Sequence, residues 1–491
     1  MVKILIAAFD GLQPSQVRPD TTPNIHALAQ RGVRFARHHS MFPTVTRVNA
    51  ASMVTGRKPG AHGLTGNTLY APEIEPGRHI DTMLPELRRL YDATGGNVLL
   101  APGLAEILAP HGMKYAAVIG GTAGNAFMHY ARPEKSSGAL IHPEFTHPEH
   151  LSKEIRQRFG WWPPKIAPAT ELCQRVADVF LGLVRPELDP DVAFLWFPEP
   201  DNTQHSHGVG SPLAMEALGA ADAQFGRVLE GLRQTGDDPV VFVISDHGYS
   251  TITETVDVGR ELSTAGFMAG PWPGGVIFAP NGGAGLLYVP DHDSETVHQL
   301  AGWLAGQEWV GAMISGRDGR TAAGHAGLLD GVLAGISGPR APDIAFTFRW
   351  SRDGGANGYH GTVTATNGGL GLGTHGSASP QELRATLIAA GPGVRRGIVS
   401  EAPTGQPDLL PTLLTLLGLP VPAGLDGRPV SEMLTRGPAP REVGFLTETH
   451  EAAHGTGAAR LRQRMDISRV GETSYVSAIG RAEDFGEKRA H

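Results

Sequence analysis

Thr46 lies in a stretch suited to a reactive hydroxyl. Phe42-Pro43-Thr44-Val45-Thr46-Arg47-Val48-Asn49 opens on a proline-marked turn and continues through small, helix-compatible residues to Val54-Thr55-Gly56. A glycine-rich loop, Gly63-Leu64-Thr65-Gly66-Asn67, follows. This layout fits a nucleophile at a helix N-terminus, where backbone N–H groups lack intrahelical partners and the dipole favours negative charge. A phosphoryl group is the natural guest. Read alone, the stretch also allows Thr46 to be an ordinary N-cap.

Six other residues have the chemistry of metal ligands. Asp10, Asp201, His205, Asp246 and His247 follow apolar runs, and His375 lies in the loop Gly373-Thr374-His375-Gly376. Zinc favours imidazole nitrogen and carboxylate oxygen in a sheltered site. Three carboxylates and three imidazoles suffice for two ions with three protein ligands each. Two ions about 3.5–4 Å apart clamp both ends of a displacement at phosphorus. Each residue has a plainer reading by itself, since an Asp after a strand often caps the next helix and a single histidine usually sits on the surface. Six of them together with Thr46 are hard to explain as caps.

The elements that must position these residues are legible as continuous apolar runs. Ile4 to Phe9, Val192 to Phe197 and Val240 to Ser245 read as strands buried on both faces of a parallel sheet. They lead into Asp10-Gly11, Pro198-Glu199-Pro200-Asp201 and Asp246-His247-Gly248, and ligands of open α/β sheets bind at the carboxyl ends of strands. Tyr115 to Ile119 and Thr386 to Ala390 read as further strands. Ile25 to Gln30, Leu104 to Leu108, Ala169 to Leu183, Leu213 to Leu232 and Gln406 to Leu416 read as helices. Gly120 to Gly124 reads as a loop, and the Pro-, His- and aromatic-rich segment Gly138 to Pro168 as irregular surface structure. The fold expected is α/β, a doubly wound, mostly parallel sheet flanked by helices.

Length and charge narrow the options. The chain has 491 residues, 41% of them hydrophobic, and a net charge of −8. It has ample material for a core, and no basic block marks a nucleic-acid polymer as partner. An acidic substrate would need a local positive site, which bound metal supplies. The single cysteine, Cys173, allows no intrachain disulfide and reads as a buried small hydrophobe. The apolar run before Asp10 is too short for a signal peptide, and no segment is long enough to span a bilayer. The expectation is a cytoplasmic protein without a membrane anchor.

In order along the chain, Phe9-Asp10-Gly11, Pro43-Thr44-Val45-Thr46 with Asn49, Val54-Thr55-Gly56, His62-Gly63 with Asn67, Glu199-Pro200-Asp201 with His205, Ser245-Asp246-His247-Gly248 and Thr374-His375-Gly376 resemble the motifs of the alkaline phosphatase superfamily. Within it they are most similar to the nucleotide pyrophosphatase/phosphodiesterase branch. The resemblance implies an alkaline phosphatase-like core and two zinc ions, with manganese or iron as alternatives. Asp201, His205 and His375 would hold one ion. Asp10, Asp246 and His247 would hold the other, with Thr46 as a further ligand. Thr46 would attack a phosphate diester to give a phospho-threonine intermediate. Asn67 and the backbone N–H near Thr46 would bind the non-bridging oxygen.

Two departures keep alternatives open. The well-known phosphodiesterases of this branch carry Phe-Pro after the nucleophile, where this chain has Arg47-Val48, and Gly66-Asn67 is similar to phosphonoacetate hydrolases. Arg47 would either contact an extra anionic group of the substrate or point to solvent. The first outcome would favour a phosphomonoester or a C–P bond hydrolase using the same metals, although 251–367 contains no lysine for a carboxylate pocket. A non-catalytic binder would commonly have lost one of these residues, and none is missing. No Cys-x-Pro-x-Arg setting supports the sulfatase branch, and a threonine argues against the serine- and manganese-dependent mutase branch.

Glycine is dense and strand–helix alternation fades from Thr251 to Asn367. The domains expected are a core in two parts, 1–250 and 368–436, a cap inserted at 251–367, and a tail, 437–491. That tail would pack on its own core or on a second subunit, leaving a homodimer open. The partner expected is a small phosphate ester or phosphonate.

Overall fold

Successive residues of Ile4–Phe9 alternate between the faces of a sheet, and both faces are covered. Ile4, Ile6 and Ala8 join one apolar cluster, whereas Leu5, Ala7 and Phe9 join another. Burial on both faces makes the strand read as an unbroken apolar run. Full burial of each large side chain contributes about 1.5–3 kcal/mol. The computed structural model describes residues 3–316, 327–455 and 460–485; the parts of the expected cap and tail beyond these ranges lie outside the described residues.

Eight strands form the main sheet: β1 (Ile4–Phe9), β2 (Val33–Phe35), β3 (Tyr115–Ile119), β4 (Gly138–Ile141), β5 (Val192–Phe197), β6 (Val240–Ile244), β7 (Leu387–Ala390) and β8 (Ile398–Ser400). Their order is β8-β2-β7-β6-β1-β5-β3-β4. Only β7 opposes its neighbours β6 and β2, and every other pairing is parallel. The sheet is therefore mostly parallel, with helices over both faces. The register does the positioning. Phe9 pairs with Phe197 and Ala8 with Ile244, so β1, β5 and β6 end together. The residues after them, including Asp10 and Asp246, emerge at one edge.

Two segments differ from the sequence expectation. Gly138 to Pro168 is not wholly irregular: it supplies edge strand β4 and the helix His150–Phe159. That helix buries only Leu151 and Ile155, a single i,i+4 pair, so its periodic signal is faint among prolines and histidines. The Gly120 to Gly124 loop also ends early. Thr122 accepts a hydrogen bond from the Asn125 N–H and starts the helix Ala123–His129.

Beyond Ser250 the architecture changes. Ile277–Asn281, Ala284–Tyr288, Val310–Ser315, Leu329–Asp330 and Ile344–Phe348 form a five-stranded sheet. A second sheet joins Ser250–Thr255, Trp350–Gly354, His360–Ala365 and Gly373–Thr374, which carries the chain up to His375.

The C-terminal strands Leu446–His454, Leu461–Val470 and Thr473–Arg481 make an antiparallel sheet that packs on its own chain. The Ile479 N–H donates to the Ala378 carbonyl at 3.0 Å, three residues beyond His375. Tyr475 donates its hydroxyl to Asp408 Oδ2 at 2.8 Å and accepts from Arg428 Nε at 3.1 Å, and all three residues are largely withdrawn from solvent. Tyr475→Phe is expected to destabilise the fold by about 1–3 kcal/mol, because a buried acceptor loses a donor; urea denaturation measures this. Burial pushes the Asp408 carboxyl up from 3.8 to about 6. A raised carboxyl stabilises the fold fully below its unfolded value and ceases to as pH rises through its folded value. The urea midpoint should therefore fall more steeply between pH 4 and about 6.5 in the wild type than in Asp408→Asn.

Candidate metal centre

Thr46 is the first residue of the helix Thr46–Thr55, with Val45 in the N-cap position and no side-chain cap. The hydroxyl is thus not engaged in capping. Its Oγ1 lies 3.3 Å from His247 Nε2. The helix follows the loop Met41–Val45, which Asn49 fastens: Asn49 Oδ1 accepts from the Met41 N–H at 2.7 Å, and Asn49 Nδ2 donates to the Val45 carbonyl at 3.0 Å.

The three histidines are oriented by one device. His375 Nδ1 lies 2.8 Å from the Thr44 carbonyl, His205 Nδ1 is 3.1 Å from that of Gly373, and His247 Nδ1 is 3.1 Å from that of Gly248. A carbonyl only accepts, so each Nδ1 carries the proton and each Nε2 presents a lone pair. These lone pairs converge. His205 Nε2 and His375 Nε2 are 3.1 Å apart, and the rings of His247 and His375 stack at 3.7 Å.

The carboxylates meet them at the strand ends. Asp201 Oδ1 lies 3.3 Å from His205 Nε2 and 3.6 Å from His375 Nε2. Asp246 Oδ2 is 3.1 Å and Asp10 Oδ1 3.7 Å from His247 Nε2. The other oxygens of Asp10 and Asp246 are held by neutral donors: Trp196 Nε1 donates to Asp10 Oδ2 and the Gly11 N–H to Asp246 Oδ1, both at 3.0 Å. On Asp201 the Tyr249 hydroxyl donates to the same Oδ1 that faces the histidines.

This donor set fits divalent cations. Asp10 Oδ1 and Asp246 Oδ2 are buried and receive no hydrogen bond. Two nitrogen lone pairs facing at 3.1 Å repel unless a proton or metal lies between them. Burial, with the charges of Asp201 and Asp246, pushes the Asp10 carboxyl well above its usual range. Burial, with His247 and His205, pushes His375 down. Two sets have ligand atoms within 4.8 Å of one another: Asp201, His205 and His375, and Asp10, Asp201 and His247. Asp201 is common to both, whereas Asp246 stands beside the second set through His247.

Asn67 reaches the same place from the glycine-rich loop. Its Oδ1 accepts the Arg47 N–H at 3.1 Å, which leaves Nδ2 as the group available to a ligand. That backbone N–H, expected to face the substrate, is engaged by Asn67 instead. The Asn67 N–H in turn donates to Asn281 Oδ1 at 2.7 Å. Asn281 belongs to a hairpin turn whose Gly283 N–H donates to the His375 carbonyl at 2.9 Å. Gly282 has φ +62, and a Cβ there would stand 2.2 Å from the His375 carbonyl oxygen, so only glycine fits.

Arg47 takes neither course expected of it. It is 9% exposed, and its Nη1 donates to the Asn67 carbonyl and Thr82 Oγ1, each at 3.2 Å. The guanidinium lies beneath the Asn67 loop, away from both solvent and the cleft, because the adjoining Gly124 leaves room for it. Burial lowers its pKa to about 10. The cleft itself is a space of about 240 Å³ walled by Asn67, Ile252, Pro280, Asn281, His205 and His375 among others, with no Arg or Lys in its lining. Sequence reasoning missed Tyr249, Trp196 and Asn281. Tyr249, two residues after His247, was the most accessible of them by position. It also missed Lys165, an exposed residue whose charge is felt by both Asp10 and Asp201.

Among the described residues, no helix is long and apolar enough to cross a membrane. Solved structures share the fold. One of murine ectonucleotide pyrophosphatase/phosphodiesterase 5, an inactive variant in complex with AMP, superposes with a TM-score of 0.61 at 18% identity, covering 89% of this chain and 100% of that one. Among curated sequences, an uncharacterised pyrophosphatase/phosphodiesterase of Schizosaccharomyces pombe is 24% identical over 257 residues, 51% of this chain and 45% of that protein. A venom phosphodiesterase of Naja atra is 24% identical over 255 residues, 51% of this chain and 26% of that protein. The match thus spans less than half the length of these relatives. The family model for type I phosphodiesterase / nucleotide pyrophosphatase matches residues 4–349, which include Asp10, Thr46, Asn67, Asp201, His205, Asp246 and His247. The chain belongs to the type I phosphodiesterase / nucleotide pyrophosphatase family.

Proposed function

We propose that the chain hydrolyses phosphate diesters or pyrophosphate-linked nucleotides, with Thr46 as nucleophile and two divalent cations, zinc by ligand type, in the cluster. The observation that carries this reading is the Thr46 hydroxyl, uncapped at a helix N-terminus and 3.3 Å from His247 Nε2, at the edge of five converged donor residues with Asp246 beside them. Asp201, His205 and His375 would hold one ion, and Asp10, Asp246 and His247 the other, with Asp201 near enough to serve both. Bound there, zinc lowers the pKa of a coordinated hydroxyl and offsets charge on phosphoryl oxygens.

The chain's own residues do the rest. Deprotonated Thr46 Oγ forms the bond to phosphorus as the ester oxygen leaves, giving phospho-Thr46, which water then cleaves. Asn67 Nδ2 donates to the non-bridging oxygen, held in place by the Arg47 N–H on its Oδ1 and by Asn281 on its backbone. Arg47 acts as a positioning residue beneath that loop. The lining of Ile252, Pro280 and amide side chains supports a diester, which brings one charge, over a monoester or a carboxy-phosphonate. The AMP in the murine neighbour supports a nucleotide as the esterified group. Residues 251–367, in this reading, form a cap whose Asn281 turn walls the cleft.

Thr46→Ala should lower kcat on bis-p-nitrophenyl phosphate by roughly 10³-fold or more with metal content retained, and Asn67→Ala should lower it by roughly 10²–10³-fold. Turnover near the wild-type rate in Thr46→Ala would sink the nucleophile assignment. Arg47→Ala should depress diester and monoester rates in parallel; a selective loss on p-nitrophenyl phosphate would return Arg47 to the substrate. Metal analysis after dialysis should find more metal lost from Asp201→Ala than from His205→Ala or Asp10→Ala. Equal losses would mean that the two ligand sets do not share Asp201.

A further inference from the structure

A cavity of about 670 Å³ opens between residues 13–18, 352–360 and 380–384, sharing no lining residue with the cleft. Its charged lining has one sign. Arg18, Arg352, Arg384 and His360 face it, with no Asp or Glu among the lining residues, although the chain carries a net charge of −8. The three guanidiniums come from separate elements: the loop after the turn Pro14–Gln16, the strand Trp350–Gly354 and the strand Arg384–Ala385.

Their charges are unevenly compensated. Arg18 pairs with Asp20. Arg384 has the Ala36 carbonyl as acceptor, and burial together with the nearby Arg37 disfavours its charged form. Arg352 makes no hydrogen bond or ion pair among the described residues. Asp20 beside Arg18 and Glu401 near Arg384 offset part of this charge, Arg352 keeps its own, and an anion lowers the free energy of like charges gathered in one place. Guanidinium forks match phosphate oxygens in bidentate fashion.

Gln13 and Gln381 also line the cavity, so amide side chains stand beside the arginines. The volume lies within the range of small-molecule sites.

We propose that this cavity is a second ligand site, for the phosphate group of a small phosphorylated molecule, held on Arg352 and Arg384. The site is independent of the reading of the cleft. It lies one hydrogen bond from Tyr249, whose phenol holds Asp201.

Calorimetric titration of the intact, metal-loaded protein with AMP and with ribose 5-phosphate tests it. Wild type should bind both, and Arg352→Ala should weaken one class of site by roughly tenfold or more while leaving the turnover of bis-p-nitrophenyl phosphate unchanged. AMP and ribose 5-phosphate binding that is absent, or untouched by Arg352→Ala, overturns the proposal. Equal binding of adenosine without phosphate at this class overturns the anion assignment.

Discussion

Three carboxylates forced together at one sheet edge are the constraint on which the rest of the structure depends. The register of β1, β5 and β6 brings the ends of these strands level, so Asp10, Asp201 and Asp246 share a small, dry space. Two unit charges 4 Å apart repel by about 4 kcal/mol at the effective dielectric of a protein. Such a cluster persists only if cations or protons relieve it. The surrounding layer is built for cations. Trp196 and the Gly11 N–H satisfy the outward oxygens of Asp10 and Asp246, while Asp10 Oδ1 and Asp246 Oδ2 stay without hydrogen bonds.

The same logic governs the histidines. Each gives its Nδ1 proton to a main-chain carbonyl, so ring orientation is fixed by backbone and not by another titratable side chain. Backbone partners keep their character across pH, so the ring orientations do not depend on the protonation of a neighbouring side chain. The segments supplying those carbonyls are themselves tied down. Thr44 Oγ1 donates to the Ser377 carbonyl at 2.7 Å, and buried Glu382 accepts the Ser377 N–H at 2.7 Å. The loop before Thr46 and the loop after His375 therefore form one unit, although more than 300 residues separate them in the sequence.

How much of this was legible in the sequence follows from what each signal records. β1, β5 and β6 were readable because burial on both faces leaves an unbroken apolar run, and the motif residues because they stand at the ends of those runs. Edge strand β4 and the helix His150–Phe159 were not, since an edge strand of four residues and a helix with two buried side chains leave little periodicity. Arg47 shows a different limit. Its position in the first turn next to Thr46 suggested substrate or solvent, but its course was set by Gly124, distant in sequence, which opens room beneath the Asn67 loop. Asn281, likewise, is a turn residue with no motif around it. Its role exists only because the five-stranded sheet delivers that turn to the cleft.

That turn has a consequence for how specificity can diverge within this architecture. Residues 281–283 hold the Asn67 backbone on one side and the His375 carbonyl on the other, and Gly282 leaves no room for a side chain. The wall of the cleft is thus riveted to its chemistry at this turn. Variation in substrate choice is channelled to the cleft's other margins, around Ile252 and residues 367–368, where a change of side chain leaves the rivet intact. A graft that exchanged the whole 251–367 segment between relatives would have to carry the rivet with it, or inherit a misaligned catalytic loop.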